Sequence, residues 1–80
     1  MEFLDAALTV LREESPRALH WTVIQDLALQ RGYLDPFTQR DIRKNLVAAL
    51  VDAARRGLIV KESTGVYRSA GDGRGFVEMS

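Results

Sequence analysis

A long charged helix that runs straight into a short hairpin limits this chain to few architectures. From Thr38 to Arg56 the apolar residues recur with helical period: Ile42, Leu46, Ala49, Leu50 and Ala53 fall on one side at about 100° per residue. Thr38 and Asp41 have capping-box spacing, and Phe37 and Ile42 stand where a hydrophobic staple would close over the helix entry. At the other end, Arg55-Arg56 followed by Gly57 forms a basic last turn and a left-handed stop. Leu58 to Glu62 then reads as a strand, Ser63-Thr64-Gly65 as a turn, and Val66 to Arg68 as the returning strand.

Two shorter helices precede this unit. Phe3, Leu4, Ala7, Leu8 and Leu11 give residues 2–14 an apolar stripe, which Ser15-Pro16 ends because proline disfavours helical geometry at the residue before it. Arg17-Ala18-Leu19 is a short extended link with the option of joining the hairpin as a third strand. A second helix covers about His20 to Arg31, with Ile24, Leu27 and Ala28 inward, and stops at Gly32. Its start reads in two registers: Thr22 with Gln25 as a capping box, or His20 as N-cap with Leu19 and Ile24 as a staple. Gly32-Tyr33-Leu34-Asp35-Pro36 is a turn short enough to make the second and third helices neighbours, with Leu34 buried beneath it. The expected fold is therefore mainly α with a small β-hairpin: a winged helix-turn-helix over residues 1–69, three helices and a two- or three-stranded wing. Val60, Val66 and Tyr67 are the wing's candidates to close the core. Residues 70–80, with Gly71, Gly73 and Gly75, read as a flexible tail.

Composition narrows the chemistry. Eighty residues allow one domain. The absence of cysteine removes disulfides, thiolate metal sites and a cysteine nucleophile. The single histidine, His20, has no serine or acidic partner placed beside it, so it reads as a helix-start residue next to a packed Trp21 and not as a catalytic base. The expectation is a cytoplasmic protein that is not an enzyme and takes no cofactor, metal or small-molecule substrate. No apolar run reaches membrane-spanning length, and Glu2 and Asp5 stand where a signal peptide would be basic.

The formal net charge is zero but unevenly spread. Residues 1–38 carry three arginines against six carboxylates, whereas residues 39–68 carry seven basic groups against three acidic ones. The positive half is the half that would face a phosphate backbone. On the third helix, the first two turns of the outer face carry Gln39, Arg40 and Lys44, with Arg43 on the flank, offering donors to base edges and phosphates. Lys61, Thr64 and Arg68 lie at or near the wing tip, where a flanking phosphate would be in reach. Together these seven form the expected interface with double-stranded DNA. Later turns of the same face carry Val47 and Val51, two stacked valines that support a rival reading. In it the module binds protein, either a second copy of itself or RNA polymerase.

The run Phe3-Leu4-Asp5-Ala6-Ala7-Leu8 with Val10-Leu11, then Leu19-His20-Trp21 with Ile24, Gly32-Tyr33-Leu34 and Gly65-Val66-Tyr67, resembles the HARE-HTH domain. That family comprises winged helix-turn-helix modules of bacterial RNA polymerase delta subunits, restriction endonucleases and chromatin proteins. The resemblance covers about residues 2–68 and rests mostly on core positions. It implies a DNA-binding or DNA-sensing module connected with transcription. Two departures stand out. Leu34-Asp35-Pro36-Phe37-Thr38 replaces the family's Gly-Lys-Thr-Pro-like segment, and residues 69–80 carry only Asp72 and Glu78 where delta subunits have an acidic tail.

Overall fold

The apolar stripes of the three helices meet in one core. A computed structural model describes residues 1–70. Its elements run α1 (Phe3–Glu13), β1 (Leu19–His20), α2 (Trp21–Gln30), α3 (Ile42–Arg55), β2 (Ile59–Ser63) and β3 (Val66–Ser69). The three strands form an antiparallel sheet in the order β1-β3-β2, with Leu19 opposite Tyr67 and Ile59 opposite Ser69. This is the winged helix-turn-helix layout, and the link before α2 does contribute the third strand.

Ala6, Ala7, Val10 and Leu11 of α1 pack with Ile24 and Ala28 of α2 and with Leu46, Leu50 and Ala53 of α3. Leu19, Leu34, Ile59 and Tyr67 close the ends of this core. The small alanines let the helices approach closely, while the leucines fill the space between them. Ile42 and Ala49, both expected to face inward, are half-buried at the margin.

Both glycine stops work as expected. Gly32 and Gly57 have φ of 75° and 78°, a conformation that costs glycine nothing. At the first, Tyr33 N–H donates to Ala28 O and Gly32 N–H to Leu29 O. At the second, Leu58 N–H donates to Ala53 O and Gly57 N–H to Ala54 O. These paired bonds are Schellman motifs, which satisfy carbonyls the helix ends would otherwise leave open.

Of the two registers for the start of α2, His20 is the N-cap. Its Nδ1 accepts from Thr22 N–H at 3.3 Å, and Leu19 and Ile24 are both buried. The Thr22–Gln25 capping box does not form.

The start of α3 differs from expectation. The helix begins at Ile42, and Asp41 precedes it in the left-handed region (φ 50°) with no side-chain cap. Residues 38–41 belong instead to a braced turn. Thr38 and Gln39 N–H donate to Asp35 O at 3.3 and 2.9 Å, and Phe37 N–H donates to Asp35 Oδ1 at 2.9 Å. The Gln39 side chain accepts from Asp35 N–H at 2.8 Å and donates to Met1 O at 2.9 Å. The Met1 amino group in turn donates to Tyr33 O at 2.9 Å. These bonds satisfy the backbone without a helical turn, so neither the Thr38 capping box nor the Phe37–Ile42 staple exists. Phe37 is 96% exposed.

In the wing, Ile59 rather than Val60 enters the core. The chain leaves α3 through Leu58, whose N–H is held by Ala53 O, and this sets the phase of the strand. Tyr67 is buried as expected, whereas Val60 and Val66 are half-buried. Lys61 and Ser63 are separated by a register shift that bends the strand near its tip. From residue 71 on, the expected tail lies outside the described residues.

A polar clasp joins the C-terminal ends of α1 and α2. Arg31 reaches Glu13 and Glu14 with separate nitrogens, each at 2.7 Å, while Arg17 meets Glu14 at 2.9 Å and the Tyr33 hydroxyl donates to Glu13. The hydrogen bond from Arg31 holds the Glu14 carboxyl below its ordinary value, and the bond to Glu13 raises the Tyr33 phenol. A lowered carboxylate contributes stability at neutral pH that is lost as pH falls through the carboxylate range; a raised phenol contributes stability that is lost as pH rises through the tyrosine range. Arg31→Gln should therefore destabilise the fold slightly near neutrality, the modest loss expected of exposed pairs, with the difference from the parent shrinking as pH falls through the carboxylate range and the acid unfolding midpoint moving a little to higher pH. Circular dichroism against pH measures this, and an unmoved acid midpoint would show the clasp to be energetically silent.

Candidate nucleic-acid interface

The first turns of α3 and the start of α2 enclose an open pocket of about 610 Å³, lined by Trp21, Arg43, Lys44 and Val47. Each element supplies its residue for a local reason. Trp21 is the first residue of α2, presented by the His20 cap and half-buried against the core. Arg43 and Val47 lie on the flank of α3, between the fully buried Leu50 and the outward-facing Lys44. The Arg43 guanidinium carbon stands 5.9 Å from the centre of the Trp21 ring, at the outer edge of cation–π range.

The wing turn closes against the same tryptophan. Trp21 N–H donates to Gly65 O at 2.8 Å. A Cβ at position 65 would sit 3.2 Å from both Trp21 Cδ1 and His20 Nε2, so any larger residue there would press on the rings. His20 and Trp21 themselves lie tilted at 36°, with centroids 5.6 Å apart. The helix start, the outer face of α3 and the wing turn thus converge on the indole.

The distribution of ion pairs sharpens the charge picture. Arg17, Arg31, Arg56 and Arg68 each pair with a carboxylate. Arg40, Arg43, Lys44 and Lys61 have no ion-pair partner among the described residues, and all four are exposed. Unpaired cations are those that exchange small counterions for phosphates at least cost.

The structure sorts the seven expected contact residues. Arg43 and Lys44 are together on α3 and line the pocket. Arg40 is exposed but lies in the turn before the helix, where its carbonyl accepts from Asn45 Nδ2 at 2.9 Å. Gln39 is occupied by Asp35 and Met1, so its amide already serves the turn. Lys61 and Thr64 are exposed near the wing tip, while the Arg68 guanidinium is engaged by Glu62 across the hairpin. Val47 turns into the pocket, and Val51, one turn further on, is 40% exposed.

From the sequence alone, Trp21 reads only as a packed residue. Its position at the head of α2 was legible; its approach to Arg43, twenty-two residues later, was not. No helix among the described residues is long and apolar enough to cross a membrane, and none of their acidic or histidine side chains cluster as a metal site. Compared with family models, curated proteins and solved structures, the chain matches none.

Proposed function

We propose that this winged helix-turn-helix is a non-catalytic DNA-binding module, acting in the cytoplasm in a transcription-related role. The observation that carries the reading is the junction of Trp21, Arg43, Lys44 and Val47, with two unpaired cations at the start of α3. Winged-helix geometry offers that part of α3 to the major groove and the wing to a neighbouring backbone. Arg43 and Lys44 are the groove and phosphate donors, with Arg40 beside them in the turn and Lys61 and Thr64 on the wing. Arg68 contributes only if it leaves Glu62. The resemblance to HARE-HTH domains supports the same reading.

Few phosphate contacts and zero formal charge imply weak binding by a single copy, in the range of about 10⁻⁴–10⁻⁶ M at physiological salt. A dimer on half-sites one helical turn apart would supply useful affinity. Titration of a random-sequence duplex at several salt concentrations tests the proposal. Binding should weaken with salt at a log–log slope of about −2 to −4, as expected for neutralising some two to four phosphates. Absence of binding even at low salt would overturn it and transfer the assignment to a protein partner, polymerase or a second copy, through Val47 and Val51.

A further inference from the structure

Among the described residues, Phe37 is the one large apolar side chain left almost wholly in water, 96% exposed. It is not on a loose loop. Its own N–H is held by Asp35 Oδ1, the residues after it are held by Asp35 O, and Gln39 ties the turn to Met1. A braced turn presents the ring at little entropic cost on binding, which is how an anchor side chain works. Directly after it come Arg40, Arg43 and Lys44, which have no ion-pair partner among the described residues. This run of positive charge identifies the ring's partner as a polyanion.

The pocket adds an independent observation. Its volume lies within the span of small-ligand sites, and it is lined by one aromatic ring, one aliphatic side chain and two cations. An intact duplex presents base edges and phosphates, and its aromatic faces are hidden in the stack. Such a duplex satisfies Arg43 and Lys44 but offers the Trp21 ring and Val47 only thymine methyl groups, with no aromatic face to stack on. An unstacked base offers its flat face to the indole, and its flanking phosphates to the two cations. Phe37 and Arg43 are six residues apart, so their Cα atoms lie at most about 21 Å from each other. That is a span of about six base-pair steps.

We infer that the pocket receives a nucleobase that has left the stack, and that Phe37 is the apolar wedge that fills the gap or holds the step open. The inference rests on the DNA-binding reading and names the form of DNA preferred: a duplex with an unpaired or extruded nucleotide.

The test compares a duplex of roughly 20 base pairs with the same duplex carrying one unpaired nucleotide, a length ample for a single module. Trp21 is the only tryptophan, so its emission reports on the pocket alone. The duplex with the unpaired nucleotide should bind about tenfold tighter, as expected for one base stacked on an aromatic ring, and should quench Trp21. Phe37→Ala should remove this preference and leave affinity for the intact duplex unchanged; since the ring packs against nothing, the variant should melt like the parent. Equal affinity for the two DNAs with unchanged Trp21 emission would overturn the wedge and pocket while leaving DNA binding in place. Failure to bind either DNA would overturn both readings.

Discussion

Leu46→Ala should cost about 2–5 kcal/mol, the usual loss for truncating a fully buried leucine. Leu46 has no exposed surface and lies where α3 packs into the common core, among Leu11, Ile24 and Leu50. Alanine would forfeit its transfer free energy and leave a void that three packed helices cannot fully close. The total stability of a domain this small is only about 4–12 kcal/mol, so the loss is a large share of the whole. The melting temperature should fall by on the order of 10–30 °C. In urea the midpoint should drop with an unchanged slope, since the surface exposed on unfolding is nearly the same. A change under about 1 kcal/mol would mean that this face of α3 does not carry the core. The adjacent Val47 gives the contrast, because it borders the pocket and not the core.

The second large effect concerns binding. Arg43→Glu with Lys44→Glu should weaken duplex binding by on the order of 10²-fold or more, from the loss of one groove donor and one phosphate contact. The salt slope should become shallower by about one unit for each phosphate contact removed. Both side chains are exposed, so folding should change little beyond the weak contact between Arg43 and the Trp21 ring. Arg12→Glu serves as the control: it is also exposed and without an ion-pair partner among the described residues, but it lies on α1. Its reversal should leave affinity near that of the parent. Equal losses from α1 and α3 would show that only overall charge matters and would remove α3 as the binding element.

Much of this architecture is written in local signals. Gly32 and Gly57 end their helices because their left-handed conformations complete hydrogen bonds within a few residues of each stop. Ile24 on α2 and Leu46, Leu50 and Ala53 on α3 are buried on the inward face that helical period assigns to each helix. The hairpin follows for the same reason: a turn carrying Gly65 lies between two short β-prone runs.

The signals that failed were also local, and remote contacts overruled them. Thr38, Asp41, Phe37 and Ile42 have the spacing of a capped and stapled helix start, yet α3 begins at Ile42. Asp35 and Gln39 capture the backbone there, and Gln39 is held by Met1, at the far end of the chain. As a result Arg40 is moved off the helix, the Gln39 side chain is engaged within the turn, and Phe37 is left in water. The choice of Ile59 over Val60 is likewise a matter of how Leu58 leaves the end of α3.

The sequence by itself determined the order of elements, the helix stops, most of the helical core and the basic character of the third helix, since each depends on neighbours within a turn or two. Only the tertiary structure decided which cations remain unpaired, where α3 begins, and that Trp21 stands beside Arg43, Lys44 and Val47. Those outcomes depend on the packing of α2 against α3 and on hydrogen bonds between distant residues. No spacing within a single segment encodes them.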